Sequence, residues 1–346
     1  MVEAVTRAVL VGCGAISGAW LTPVKQMPEV EVVGLVDINE PAAAKAARDY
    51  DLPQAVVGAD LRKVLERTSP DVVFNCTVPE AHASVTLEAL AHGCHVLGEK
   101  PLADSMESAR AMVAAAEKAG KILAVIQNRR YDPRIRRLRH FLESGAIGAI
   151  TTVNCDFYIG AHFGGFRDHM KHVLLLDMAI HTFDAARFIS GADAVDVYCR
   201  EWNPAGSWYD HDASAVAIFG MTSGIVYTYR GSWCAEGLNT TWECDWRIIG
   251  EKGSVCWDGA DGFRAQVAVK GGGFLSELKD LEWPPYDAGD KVGGHAGNIR
   301  EFIRCVREGG TPETVASDNI KSLAMVFGAI ESAETGRPVQ IAPGRA

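Results

Sequence analysis

The chain begins with an apolar, β-branched run that breaks directly into glycines, RAVLVGCGAISG over residues 7–18. Few patterns limit a fold so tightly. A short strand that ends in Gly-x-Gly and passes at once into a helix opens a strand–helix–strand unit, and the helix start can receive a phosphate. Gly12 and Gly14 take the first two places of a GxGxxG fingerprint, and Ser17 takes the third, with Gly18 beside it. The first glycine allows a tight turn, the second lets backbone approach a pyrophosphate, and a small third residue lets helix and strand pack closely. Backbone around Gly14, Ala15 and Ile16 is therefore expected to cradle the phosphates.

Four further apolar runs follow: EVVGLVD (31–37), DVVFNCT (71–77), HVLGE (95–99) and ILAVIQN (122–128). They are nearly continuous rather than alternating, as parallel strands covered on both faces must be. Helical stretches lie between them. In ESARAMVAAAEKAG, Asp104 and Glu107 have capping-box spacing and Gly120 marks the end. Pro23 is expected to shorten or kink the first helix. The reading is an α/β chain with an N-terminal doubly wound parallel sheet over residues 1–127 and a second α/β domain over 128–346. Asp37 closes the second run twenty residues past Ser17, where a carboxylate takes ribose hydroxyls. Ile38 and Asn39 follow it, not arginine, so NAD is favoured over NADP. Lys45 and Arg48 keep NADP open.

With 346 residues the chain has room for two domains and a sizeable core. Its net charge of −10 argues against nucleic acid and against an anionic membrane surface. Nine scattered cysteines form no CxxC pair, so buried thiols in a reducing cytoplasm are expected, and no metal. The glycine-broken N-terminus does not read as a secretory leader, and no apolar run reaches membrane-spanning length.

Ligands of such sheets bind beyond the carboxyl ends of the strands. That edge should collect Thr77, Pro79 and His82 after the third run, Glu99 and Lys100 after the fourth, and Asn128 after the fifth. Pro101 restricts Lys100 toward extended backbone. Glu99 can hold the lysine ammonium or cap the next turn. A plain strand-end salt bridge explains Lys100 equally well by position alone. In the second half, HVLLLDMAIHTFDAARFISG (172–191) reads as an apolar helix ended by Gly191, with Asp177, His181 and Asp184 on one face. Buried charge of this kind needs partners or a ligand. Asp177 as a helix cap and His181 as a core histidine are the plainer alternatives. The pairing with a crevice lysine favours a catalytic site.

These segments together resemble the Gfo/Idh/MocA family, named for glucose–fructose oxidoreductase and inositol dehydrogenase. The carriers are VGCGAISG, TVPEAHASVTLEALAHGCHVLGEKP, QNRRYDP, DMAIHTFDAARF, GEKGSV and SDNIKSLAMVFGAIESAETGRPVQI, nearly the whole chain. The EKP turn is the most specific of them. The resemblance implies a Rossmann domain followed by a domain with a large open, mostly antiparallel sheet used for oligomer contacts, hence a homodimer or homotetramer. It implies a pyridine nucleotide and a sugar, sugar acid or cyclitol substrate. Carried over residue by residue, it places Lys100, Asp177 and His181 at the reacting centre. Where many relatives have glycines before the aspartate this chain has HVLLLD, so the pocket floor differs. In the mechanism expected, His181 takes the hydroxyl proton, Asp177 orients it, and Lys100 hydrogen-bonds the substrate oxygen; Lys100 and His181 can exchange the base role. Rival readings are an NAD-dependent glycosidase or a relative that keeps its nucleotide, and a nucleotide-sensing regulator without chemistry.

From residue 128 the pattern changes. DPRIRRLRHFLESGAIG reads as a helix opened by Asp132 and Pro133, its arginines a solvated face. Arg130 and Tyr131 lie just past the crevice edge. DASAVAIFGM, GIVYTYRGSW, TTWECDWRIIG and SVCWDG read as an antiparallel meander. Tyr131, Arg167 and His169 are candidate substrate contacts, with His172 and His295 as weaker ones. Seven of eight tryptophans follow residue 200, and core packing explains them as readily as a sugar does. The stretch GGGFLSELKDLEWPPYDAGDKVGG is expected to be a loop.

Overall fold

The computed structural model describes residues 5–270 and 273–341. Contacts divide the chain into two units. The first runs to Tyr131 and takes back Asp290–Leu323; the second comprises Asp132–Gly289 and resumes at Ala324. A single cut at residue 127 falls just past the last strand of the first sheet, and the returning segment is invisible to local pattern.

In the first unit, six short strands form one parallel sheet: β1 (Thr6–Val11), β2 (Val30–Val36), β3 (Val56–Gly58), β4 (Val72–Asn75), β5 (His95–Gly98) and β6 (Leu123–Val125), ordered β3-β2-β1-β4-β5-β6. That order reverses at β1, which is the switch point of a Rossmann sheet. The strand β3, VVG, carries too little apolar sequence to stand out alone. Between the strands run α1 (Ser17–Val24), α2 (Glu40–Asp49), α3 (Leu61–Thr68), α4 (Pro79–Ala91) and α5 (Met106–Ala119). As expected, α1 is short, with Pro23 in its last turn. The cap of α5 is Ser105, whose hydroxyl accepts from the Ser108 N–H, not Asp104; Gly120 closes the helix in the left-handed region, at φ 62°. The core gathers Leu10, Trp20, Leu35, Phe74 and Leu97, and the returning segment adds Ile299, Phe302 and Ile303.

The second unit is built on α6 (Pro133–Glu143), α7 (Ile180–Ser190) and nine strands: β7 (Ile150–Tyr158), β8 (Ala194–Trp202), β9 (Ser214–Met221), β10 (Val226–Ser232), β11 (Asp245–Gly250), β12 (Gly253–Trp257), β13 (Phe263–Lys270), β14 (Glu277–Leu281) and β15 (Val339–Gln340). Their order is β14-β13-β12-β11-β7-β10-β9-β8-β15. This is not a simple meander. Strand β7 inserts between β11 and β10 and pairs with β10 in parallel, while the remaining pairs are antiparallel. Burial alternates along β11, so one sheet face is packed and the other open. Phe183 of α7 packs on Phe219 and Tyr229 at 4.9 and 5.3 Å between centroids. The stretch expected to be a loop instead supplies β14; Gly271 and Gly272 lie outside the described residues. Two last helices, α8 (His295–Glu308) and α9 (Ala316–Thr335), complete the chain. Among the described residues no helix is long and apolar enough to cross a membrane.

The arginine-rich α6 is a solvated face only in part: Arg134 is exposed and pairs with Asp261, and Arg139 pairs with Glu143. Asp132 caps it, accepting from the N–H groups of Arg134 and Ile135. Just before it Arg129 and Arg130 are buried, as is Arg136 within it. Arg130 meets Asp318 at 3.1 Å, and Arg136 sits over the Phe188 ring. Guanidinium groups that find carboxylates, carbonyls or ring faces can be buried where lysine is not.

Candidate active site

At the carboxyl edge of the first sheet, the turn after β1 is held by contacts only glycine permits. Gly12 has φ +91°, and a Cβ there would stand 2.6 Å from the Cys76 backbone. Gly14 is exposed, and a Cβ on it would meet nothing within 4 Å. Backbone is thus drawn tight on one side and left open on the other, where a pyrophosphate needs room. Ala15 and Ile16 are exposed beside it, and the N-terminus of α1 has no side-chain cap. Asp37 locks this turn: one carboxylate oxygen accepts the Cys13 N–H and the other the Asn39 N–H, both at 2.8 Å. The residues present fit a dinucleotide.

Asn75, a buried amide in an apolar strand, braces the neighbouring turn. Its oxygen accepts from the Thr77 hydroxyl at 2.6 Å, and its amide donates to His82 O at 3.1 Å. A polar residue inside a buried strand was the signal for it. Thr77 is half-buried and Pro79 opens α4. His82, expected at the nucleotide, is instead 1% exposed. Its ring nitrogens lie 2.8 Å from Pro101 O and 3.0 Å from Thr77 O, so it fastens two strand-end turns from beneath.

Glu99 is also buried rather than aimed at a ligand. One oxygen accepts from Trp20 Nε1 at 2.8 Å and lies 3.5 Å from His295 Nε2; the other accepts the Lys100 N–H at 3.1 Å. Burial alone would raise its pKa, but His295, Trp20 and the Lys100 charge outweigh it, so the carboxyl is held below its usual range. The glutamate thereby fixes the backbone of Lys100, which is half-buried and precedes a cis proline. Asn128 Nδ2 stands 3.5 Å from His295 Nδ1. Trp20 and His295 thus complete this cluster; Trp20 gave no local signal, since an indole in a helix reads as core. Tyr131, expected at the substrate, is corrected by the structure: it is fully buried and its hydroxyl bonds Glu301.

In the second unit the run 172–191 is not one α-helix. Leu174–Ala179 winds as a π-helix and continues into α7, with Gly191 as C-cap at φ 67°. Such turns shift side-chain direction and favour functional sites. Asp177 lies inside the π turn, not at a cap, and receives Arg167 through Nε at 2.7 Å and a second nitrogen at 3.4 Å. His181 is half-buried at the first turn of α7. Asp184 does not extend a shared seam: it is 1% exposed and faces Arg187 at 3.9 Å. His169 is exposed and bonds Asp210 at 2.5 Å, which raises its pKa. His172 lies in the turn before the π segment, at φ 52°, and bridges Glu201 at 2.6 Å and Glu334 at 3.4 Å. The Glu201 bond raises its pKa despite burial. No cluster of three metal-ligating side chains occurs among the described residues, and all nine cysteines are free thiols.

Comparison with known proteins agrees with this architecture. Residues 6–127 match the family model described as an oxidoreductase family with an NAD-binding Rossmann fold, and residues 135–256 match the GFO/IDH/MocA C-terminal domain. The D-apiose dehydrogenase of Paraburkholderia graminis is 27% identical over 97% of this chain and 89% of its own. The inositol 2-dehydrogenase of Rhizobium meliloti is 25% identical over 96% and 98%. In fold, the chain is similar to an Agrobacterium radiobacter oxidoreductase solved with NAD+, L-tartaric acid and magnesium, at a TM-score of 0.84, 23% identity and coverage of 97% and 98%.

Proposed function

Because the chain belongs to the Gfo/Idh/MocA oxidoreductase family, with its NAD-binding Rossmann domain, we propose that it moves a hydride between nicotinamide and a secondary alcohol of a sugar, sugar acid or cyclitol. The observation that carries this reading lies within the first unit. The glycine turn, Asp37, Thr77, Lys100 and Asn128 follow β1, β2, β4, β5 and β6, and so share the carboxyl edge of one parallel sheet. A lysine whose backbone is clamped at the same sheet edge as a dinucleotide cradle supports a role for it at the reacting end of the nucleotide. The names of the relatives, an apiose and an inositol dehydrogenase, support a polyol substrate.

Backbone of the Gly12–Ile16 turn would hold the pyrophosphate and Asp37 the ribose. Bound there, NAD supplies the hydride acceptor. The protein's own residues divide the remaining work. Lys100 hydrogen-bonds the substrate oxygen and stabilises its developing negative charge. His181 accepts the hydroxyl proton, since an imidazole ordinarily titrates near neutral pH. Asp177, paired with Arg167, stabilises the imidazolium. A homodimer or homotetramer in the cytoplasm completes the proposal.

The test is a reduction assay with NAD and NADP against aldoses, inositols and aldonic acids, followed by nicotinamide absorbance. Lys100→Met should bind nucleotide with near-normal affinity and turn over at least about 1000-fold more slowly. A Lys100→Met enzyme running at the wild-type rate would take the lysine out of the mechanism. Nucleotide binding with no turnover across the panel would point to a sensor.

A further inference from the structure

The second unit carries an aromatic surface that the proposed chemistry does not use. Phe163, Phe166 and Trp242 are 43, 68 and 49% exposed, high for rings of this size in one locality. They come from distant segments. Gly164 and Gly165, both at φ +69°, fold the first segment so that Phe163 and Phe166 are presented together. Phe163 packs edge-on against the buried Trp233 at 4.9 Å, and Trp233 contacts Trp242 at 5.8 Å. Phe163 and Trp242 are therefore backed by a buried indole, and Phe166 is joined to them through the Arg167 guanidinium.

One cation joins this surface to the candidate site. The Arg167 guanidinium lies 4.9 Å from the Phe163 centroid and 4.8 Å from that of Phe166. The same guanidinium donates to Asp177 at 2.7 Å. Anything stacked on these rings is thus one side chain away from the carboxylate assigned to orient the base. We propose, resting on the reading above, that this surface is a subsite for a ring carried on the glycosidic oxygen of the substrate, so that the preferred substrate is a glycoside rather than a free sugar. Flat apolar faces of pyranose or aryl rings stack on aromatic side chains.

Charge nearby narrows the occupant to a neutral ring. The guanidinium that lies over Phe163 and Phe166 is committed to Asp177. His162 and His169, in the same segment, pair with Glu236 and Asp210. A diphosphate linking the sugar to a nucleoside would have to draw Arg167 away from Asp177, which a neutral ring does not.

The experiment compares matched pairs, the methyl and the phenyl β-glycoside of glucose, galactose and xylose, by NAD reduction with the full chain. For the sugar that is oxidised, kcat/KM for the phenyl glycoside should exceed that for the methyl glycoside by about tenfold, the worth of one aromatic stack. Trp242→Ala and Phe166→Ala should each bring that ratio toward one, and Trp242→Phe should keep it. Trp242 packs on Phe163 and Trp233, at 6.4 and 5.8 Å between centroids, so Trp242→Ala removes a stacking ring and leaves in place the two phenylalanines on which Arg167 rests. A wild-type ratio near one, a ratio that survives both alanine variants, or a stronger preference for UDP-glucose overturns the proposal. If no glycoside is oxidised while a free aldose or inositol is, the proposal is overturned; if neither class is oxidised, the dehydrogenase reading fails by itself, and tryptophan fluorescence decides the subsite. Saturable quenching by phenyl glucoside that Trp242→Ala abolishes upholds it, and absence of quenching overturns it.

Discussion

The glycine turn of the first unit and the π-helical turn of the second solve the problem of placing a reactive group in opposite ways. The first is built from backbone. A Cβ on Gly12 would stand 2.6 Å from the Cys76 carbonyl carbon, and Asp37 satisfies two N–H groups. The second is built from charged side chains: Arg167 on Asp177, and His172 between Glu201 and Glu334. A backbone cradle fails by collision, at any pH. A chain of ion pairs fails by loss of charge, and so with pH and with conservative substitution. The glycine turn should therefore be insensitive to pH and the ion-paired turn sensitive to it, while both should be sensitive to substitution.

The sharpest break is Gly12→Val. Added bulk meets backbone that cannot retreat, at a φ unfavourable for any L side chain. The loss should be at least about 3 kcal/mol, in stability or in NADH affinity. A calorimetric titration beside a thermal melt reads both, and a variant normal in each would show the turn is not steric. Arg167→Met should come next, lowering kcat/KM about thirtyfold, or about 2 kcal/mol for a bidentate charge-assisted pair, with NADH affinity unchanged. Equal losses in both quantities would deny that the two halves act separately. Asp37→Ala should weaken NAD about tenfold and NADP less, because a 2′-phosphate no longer meets a carboxylate. The reverse order in a pair of binding curves would make NADP the cofactor.

The smallest effect sharpens the pH contrast. His172 is raised above its ordinary value of 6.5 by Glu201. Its contribution is then complete below about pH 6.5 and disappears as pH rises through the raised folded value. His172→Gln should lower the melting temperature by about 2 °C on the acidic side, for about 1 kcal/mol, and by less in alkali. A difference that grew with pH would reverse the assignment.

Much of the first unit could be read from local pattern. Near-continuous apolar runs, punctuating glycines and an acid at the second strand end each act through the backbone of their own segment. Lys100 was legible for the same reason. The places where reading stopped share a cause. Ser105, not Asp104, caps α5, because a one-residue shift decides which oxygen reaches the N–H. Tyr131 and His82 looked like crevice residues by position, yet both are buried with their polar atoms taken up by the protein. A side chain's direction depends on partners far along the chain. The insertion of β7 between β11 and β10 joins residues as far apart in the chain as Thr152 and Val226, or Asp156 and Asp245, which no alternation reveals.

The sequence by itself determined a dinucleotide fold and its glycine turn, since glycine freedom, strand burial and helix capping are settled within a few residues. Tertiary structure decided which charges are partnered. Arg167 reaches Asp177, Glu99 holds the Lys100 backbone, and Asp184 turns to Arg187, because electrostatic and stacking contacts follow distance in space and not position along the chain.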